Sequence, residues 1–371
     1  MRSVGLDLSA RKICYCEVAG GQVVTRTTVR SLQELQPLLG LGTAPAHVAF
    51  EACREGWVTD SVLREWGHEP LMIDTTRVKQ IGIAQHGRKN DRIDAEVIAR
   101  AVERGGIPLA HVLSPHRRQL RLELGNRRAL VETRAQYVVM IRGIIRARGQ
   151  SVGGCATNNL SKRLDDAQLD TETRELVEPL RSLLEPLENQ IGRTEMRIEE
   201  LCRTEPIIQY LSTVSGVGLI VAAAFVSVVD DAKRFRRSHQ VEAYLGLVPA
   251  EHSSVHRRIG AITKEGNGYV RALLVQSAWR ILQLKTDDPL KEWAEQVSKR
   301  RGHRIAVIAL ARRLAGVLWA MWRDGRVYDP ALVGRTRRQS PSQTPQVVLT
   351  ALALAARRRN LRRRVTVRVR S

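Results

Sequence analysis

The sequence is short of acid. Its 371 residues hold 38 Asp and Glu against 60 Lys and Arg, a formal net charge of +22 at pH 7. A field of that sign and size selects for polyanions, because each phosphate neutralised releases condensed counterions. Lysine is scarce as well, with nine residues against 51 arginines. GC-rich codon usage accounts for the choice of Arg over Lys but not for the excess of base over acid. Nucleic acid is therefore the expected partner, with an anionic membrane surface as the weaker rival.

Cysteine is also scarce: five residues, an odd number, none in a CxxC pair. This argues against a disulfide framework and a zinc site, and for a reducing compartment. Any metal must then be held by oxygen. Aromatic residues make up 4% of the chain, so no base-stacking platform of the RNA-recognition-motif type is visible. Trp279, Trp293, Trp319 and Trp322 fall at helical spacings among Leu and Ala and are expected in the core. The longest apolar run, Leu219 to Val229, is about half the length of a membrane span. The first residues, MRSVGLDLS, contain no apolar stretch of the secretory kind. The expectation is a cytoplasmic protein that does not enter a membrane.

Against these absences stands a hydrophobic content of 43%, enough for a folded chain with a sizeable core. Residues 1–30 alternate: Val4, Leu6 and Leu8 fall on one side and Gly5, Asp7 and Ser9 on the other. Strands follow at Ile13 to Val18 and Gln22 to Val29 around an Ala-Gly-Gly-Gln turn. A helix from Ser31, a strand at His47 to Phe50, a helix at Val58–Trp66, a strand at Pro70–Ile73 and a helix at Thr76–His86 complete an α/β domain with a mixed sheet. A helix then begins at Asp91, and residues 114–149 read as a long basic helix. The stretch 171–203 carries a near-heptad seam interrupted by Pro179 and Pro186. The two long helices form either an intramolecular hairpin or a dimerising coiled coil. The expected division is 1–112 as the α/β domain, 113–204 as a helical linker, 205–333 as a mostly helical domain, and 334–371 as a flexible basic tail. That tail contains 11 arginines and no acid.

Four acids have the placement that metal chemistry needs. Asp7 sits within a strand on the face opposite the apolar residues, and Glu51 ends a second strand, where α/β sites gather. Asp91 and Asp94 are three apart at a helix start and share one face. Each alone is ordinary, since helix starts favour acids through the macrodipole. Together they supply hard oxygen ligands for one or two Mg²⁺ ions, an arrangement suited to in-line phosphoryl transfer.

The stretch Val4-Gly5-Leu6-Asp7-Leu8-Ser9 followed by a hairpin resembles the first strand of the RNase H-like fold in its RuvC-like branch. Phe50-Glu51-Ala52 and Lys89-Asn90-Asp91-Arg92-Ile93-Asp94-Ala95 resemble the DEDD domain of a bacterial insertion-sequence transposase family, the DEDD transposases or bridge-RNA-guided recombinases. The second half is similar to the same family. LSTVSGVGLIVAAA, Leu211 to Ala224, reads as helix, tight turn, helix, either a plain αα-hairpin or a phosphate seat. Ala243 to Trp279 carries Gly-Leu-Val-Pro and Ile-Thr-Lys-x-Gly-Asn elements like those of the family's C-terminal domain.

The resemblance implies a DNA transposase or recombinase with Asp7, Glu51, Asp91 and Asp94 as Mg²⁺ ligands and a serine as nucleophile. The matching serine is Ser254, with Ser253 as the neighbouring alternative; Val255 follows where the family has glycine. His252 and His256 flank the serines without metal-ligand spacing. Arg257, Arg258 and Lys264 are positioned in sequence to hold phosphate oxygens. The resemblance also implies DNA and a non-coding guide RNA as partners, and a homo-oligomer, dimer or tetramer. A hydrolytic RNase H-like nuclease, such as a Holliday-junction resolvase, is the alternative.

Overall fold

The computed structural model describes residues 1–74, 91–251 and 259–333. The expected helix at Thr76–His86 and the tail 334–371 lie outside the described residues. The chain divides after Leu113 into two compact units.

In the first unit, strands β1 (Arg2–Leu8), β2 (Ile13–Ala19) and β3 (Gln22–Val29) form an antiparallel meander. A short helix α1 (Gln36–Leu39) leads to β4 (Ala46–Glu51), and α2 (Gly56–Glu65) to β5 (Glu69–Ile73). The sheet order is β3-β2-β1-β4-β5, with β4 parallel to both β1 and β5. Parallel pairing requires crossovers, which α1 and α2 provide. Helix α3 (Asp91–Arg104) closes the unit.

Period-two alternation sorts the strands' side chains between two layers. Val4, Leu6, Tyr15, Val48, Phe50 and Met72 pack with Leu35, Leu39 and Leu63 on one face. On the other, Cys14, Cys16 and Val18 meet Ala95 and Ala99, while Ala49 and Ile73 meet Ile98 and Val102. Helix α3 thus covers the second face with the apolar positions 95, 98, 99 and 102, one stripe of a 3.6-residue helix.

The second unit is helical. Its elements are α4 (Pro115–Ala147), α5 (Leu160–Asp165), α6 (Thr171–Arg181), α7 (Leu184–Cys202), α8 (Pro206–Leu211), α9 (Leu219–Val229) and α10 (Ser238–Tyr244). A hairpin of β6 (Pro249–Glu251) and β7 (Ile259–Ile262) follows. Then come α11 (Gly268–Gln283), α12 (Pro289–Arg301), α13 (His303–Asp324) and α14 (Pro330–Val333). Helices α4 and α7 pack together, with Arg127–Glu195 at 2.7 Å, Arg197–Glu123 at 3.1 Å and an Arg134–Glu188 pair across the seam. The heptad pattern is therefore used within the chain. The expected break falls at Ser182-Leu183, between α6 and α7. The segment 113–204 is not a free-standing linker: Leu120, Leu124, Ile198 and Cys202 enter the same core as α9, α11 and α13.

Among the described residues one helix, α13, is long and apolar enough to cross a membrane. Leu310, Leu314 and Leu318 of this helix are fully buried in that core, and Trp319 Nε1 donates to Ala232 O at 2.9 Å.

Candidate active site

The register of the sheet decides how the acids stand. Arg2 pairs with Ala46 and Leu6 with Phe50 in the parallel β1–β4 ladder. One step further, Asp7 is level with Glu51. Adjacent strands lie about 4.8 Å apart, so the two residues start from neighbouring points on the sheet's carboxyl edge. They also share a face. Gly5 lies beneath α3, and Asp7 is two residues on; Ala49 packs on Ile98, and Glu51 is two residues on.

The direction of α3 brings the other two acids to the same edge. Near its end, Arg100 donates to Gly21 O at 2.5 Å, and Glu103 accepts from Gly21 N at 3.0 Å. Gly21 belongs to the β2–β3 turn, which lies beside the amino end of β1 because Ser3 pairs with Val18. The helix start, with Asp91 and Asp94, is consequently at the carboxyl end of β1, where Asp7 is. Glu96 ties the helix to the sheet through an ion pair to Arg26 on β3, and it pairs at 2.8 Å with Arg100 on its own helix.

Asp7 and Asp94 are half-buried and Glu51 is exposed. The side chain of Asp91 lies outside the described residues. Among the described residues no three His, Cys, Asp or Glu side chains are already grouped as a metal cage. The donor set is nonetheless wholly oxygen, carried on two adjacent strand ends and one helix start. This suits Mg²⁺, which takes one or two carboxylates directly and fills its shell with water and phosphate oxygen.

Sequence reasoning passed over residues at the same edge. The β1–β2 turn ends in Arg11 and Lys12, both exposed, with Ser9 Oγ donating to Lys12 O at 2.8 Å. Asp74 directly follows β5, its N–H donating to Pro108 O at 3.0 Å. A charged residue directly after a short apolar strand was the available signal.

In the second unit, Ser253, Ser254, Arg257 and Arg258 lie outside the described residues. The structure does describe the hairpin that brackets them, and it explains the two motifs on either side. Gly246 and Gly266 both have positive φ, 66° and 70°. A Cβ on Gly246 would lie 2.1 Å from Glu265 O, and one on Gly266 would lie 2.0 Å from Tyr244 O. Arg271 clasps the junction, donating to Leu245 O at 3.0 Å and Glu265 O at 2.8 Å, while Asn267 Oδ1 accepts from Val270 N at 3.0 Å and caps α11. Lys264 is exposed, with φ of 58°. Only glycine tolerates such backbone approach, so the Gly-Leu-Val-Pro and Thr-Lys-x-Gly-Asn elements interlock at the base of the hairpin.

One tryptophan departs from expectation. Trp319 is buried, and Trp293 and Trp322 are half-buried, but Trp279 is 39% exposed. Its helix is apolar on more than one side, so spacing alone did not reveal which side faces the core.

Comparison with known proteins gives the family. Residues 4–147 match the DEDD transposase model of the IS110 type, and residues 208–293 match the transposase IS116/IS110/IS902 family. A Pseudomonas aeruginosa protein described as "Probable family 20 transposase" is 32% identical over 295 residues, covering 77% of this chain and 86% of the relative. The chain belongs to the IS110/IS116 transposase family. This transposase is also 28% identical over 330 residues to the transposase for insertion sequence element IS1111A of Coxiella burnetii, covering 86% of the chain and 89% of the relative. With the transposase for IS1328 of Yersinia enterocolitica it shares 25% identity over 336 residues, 88% of the chain and 98% of the relative. Membership carries DNA recombination as the activity, and it places the four acids inside the matched DEDD segment.

Proposed function

We propose that the first unit is an RNase H-like, RuvC-like catalytic domain in which Asp7, Glu51, Asp91 and Asp94 hold Mg²⁺, and that Ser254 is the nucleophile that cuts and rejoins DNA. The observation that carries this reading is the level placement of Asp7 and Glu51 on adjacent parallel strands, with the start of α3 held at the same edge. A three-stranded meander followed by parallel strands supports the fold assignment.

Bound Mg²⁺ would neutralise charge building on the scissile phosphate and on the attacking and leaving oxygens. The protein's own residues do the rest. The Ser254 hydroxyl attacks phosphorus, forming an Oγ–P bond as one sugar P–O bond breaks, and the hydroxyl proton ends on the departing sugar oxygen. Attack by a second sugar hydroxyl reverses the exchange and frees the serine. Arg257, Arg258 and Lys264 hold non-bridging phosphate oxygens. Ester is exchanged for ester, so no external energy source is needed.

Recombining two duplexes requires more than one active site, which supports a homo-oligomer. A non-coding guide RNA that reads sequence by pairing follows from the family resemblance alone. The test is a denaturing gel of protein, cleavable DNA, candidate RNA and Mg²⁺. A protein–DNA adduct that disappears in Ser254→Ala supports the reading. Nicking that persists in that variant without any adduct would mean water is the nucleophile and the enzyme a hydrolase.

A further inference from the structure

Five of the ten arginines on helices α4 and α7 are paired with glutamate. Arg117 makes a bidentate pair with Glu205 at 2.8 and 2.9 Å, Arg128 meets Glu132 at 2.7 Å, and Arg127, Arg134 and Arg197 each pair with a glutamate across the seam. The corner where α11 approaches the α12–α13 turn is different. Arg280, Lys299, Arg301 and Arg304 are exposed there, and none has an acidic partner among the described residues.

Two contacts bring these cations together. The ring of Trp279 on α11 meets that of His303, the first residue of α13, edge-on at 4.8 Å between centroids and 67° between planes. Ser298 Oγ lies 3.4 Å from His303 Nδ1, tying the last turn of α12 to the same point. Arg280 adjoins Trp279; Arg301 and Arg304 flank His303 across Gly302.

Helix electrostatics explains part of this cluster and leaves part unexplained. Cations in the last turn of α12 suit the negative end of its macrodipole, which covers Lys299 and Arg301. Arg304 lies in the first turn of the 22-residue α13, where the same effect opposes a positive charge. Nor does packing account for Trp279, alone among the six tryptophans in being exposed. An exposed indole, joined through His303 to a helix turn that carries exposed cations, has the composition of a strand-binding surface: the aromatic takes a base's π-face and the cations take phosphates. Bases inside an intact duplex have no free face, so the occupant is a single strand.

We propose that this corner binds single-stranded DNA, with a base stacked on Trp279 and the adjoining phosphates held by Arg280, Lys299, Arg301 and Arg304. The inference rests on the reading that the chain opens and exchanges DNA strands, and it gives the unpaired strand a place on the second unit.

The test uses the full chain, fluorescence anisotropy and three labelled probes: oligothymidylate, a duplex and oligouridylate, each over a salt series. Trp279→Ala should weaken oligothymidylate binding about ten- to a hundredfold, while Trp279→Phe retains most of the affinity. Duplex binding should change much less. The double variant Arg301→Gln/Arg304→Gln, which leaves the core intact, should reduce the single-strand salt slope by roughly 1 to 1.5. Bromodeoxyuridine in the oligonucleotide should photocrosslink to Trp279. Unchanged single-strand affinity and slope in these variants, or an equal loss for duplex, would overturn the proposal. So would a Trp279-dependent preference for oligouridylate, which would make RNA the occupant. A wild-type chain that binds none of the probes would instead refute the strand-exchange reading beneath it.

Discussion

Gly5 and Ala95 are in direct contact: a β-carbon on Gly5 would lie 2.1 Å from the Ala95 carbonyl oxygen and 2.6 Å from Ala99 N. That approach sets α3 close on β1 and turns its start, with Asp94, toward the end of β1 that carries Asp7. Gly5→Val should therefore push the helix off the sheet, costing about 1–3 kcal/mol or more in the way overpacked cores do. DNA recombination should fall with it. Gly125→Ala, at a helical position with nothing within 4 Å of the added carbon, should be neutral or stabilising by about 0.5–1 kcal/mol. Urea midpoints compare the two.

The carboxylates should separate chemistry from binding. Asp7→Asn, Glu51→Gln and Asp94→Asn are each expected to lower recombination by about 10²–10³-fold, the scale for losing one preorganised charge-stabilising group. DNA affinity should stay within a few-fold. Recombination assays beside gel-shift titrations provide the check; full turnover in Asp7→Asn would remove the metal proposal.

Stability of the first unit should depend on acid pH through Glu17. Its carboxylate accepts from Arg2 Nε and Nη2, both at 2.7 Å, and from the Tyr15 hydroxyl at 2.7 Å. The Arg2 hydrogen bonds, against an opposing cost of burial, hold the Glu17 carboxyl below its usual range, while burial pushes the Tyr15 phenol up. A carboxyl lowered in the folded state stabilises fully above its unfolded value of about 4.3 and loses that contribution as pH falls through the lowered value. Glu17→Gln should cost about 1–3 kcal/mol near neutrality. The gap from wild type should close at the acid end of a pH series of urea melts.

Thiol reactivity should follow burial. Cys14, Cys16 and Cys202 are buried, and Cys53 and Cys155 are partly open. Burial, helped by the charge of Glu205, pushes the Cys202 thiol up to about 12, leaving almost no thiolate at neutral pH. Time-resolved alkylation read by mass spectrometry should modify Cys53 and Cys155 first and reach Cys202 only on unfolding.

The basic tail gives a prediction from sequence alone. Removing residues 334–371 deletes 11 arginines, so DNA affinity and its salt slope should both fall. An unchanged slope would make the tail a passenger.

Period-two patterning made the strands readable and set Asp7 on the face opposite Val4, Leu6 and Leu8, but it did not show that α3 covers that second face too. The DRIDA stretch was readable as a helix start. What local pattern could not supply was the register: nothing in the sequence near Asp7 says that Glu51 will stand level with it. Nor does the heptad seam of α4 and α7 say whether its partner is in the same chain, since both arrangements bury the same residues. Gly246 and Gly266 were visible as motif letters, but their contacts with Glu265 and Tyr244 arise only once the hairpin closes. Trp279 was misread because helical spacing fixes a face without saying which face meets the core.

The convergence of the four acids is most directly tested by iron-mediated cleavage. Fe²⁺ bound in place of Mg²⁺ reacts with added hydrogen peroxide, ascorbate returning the iron to Fe²⁺, and the hydroxyl radicals formed cut the backbone nearest the ion. The account predicts cuts grouped around residues 7, 51 and 91–94 in one incubation, suppressed by excess Mg²⁺ and absent in Asp7→Asn. Cuts confined to one of these segments, or cuts that persist in Asp7→Asn, would contradict it.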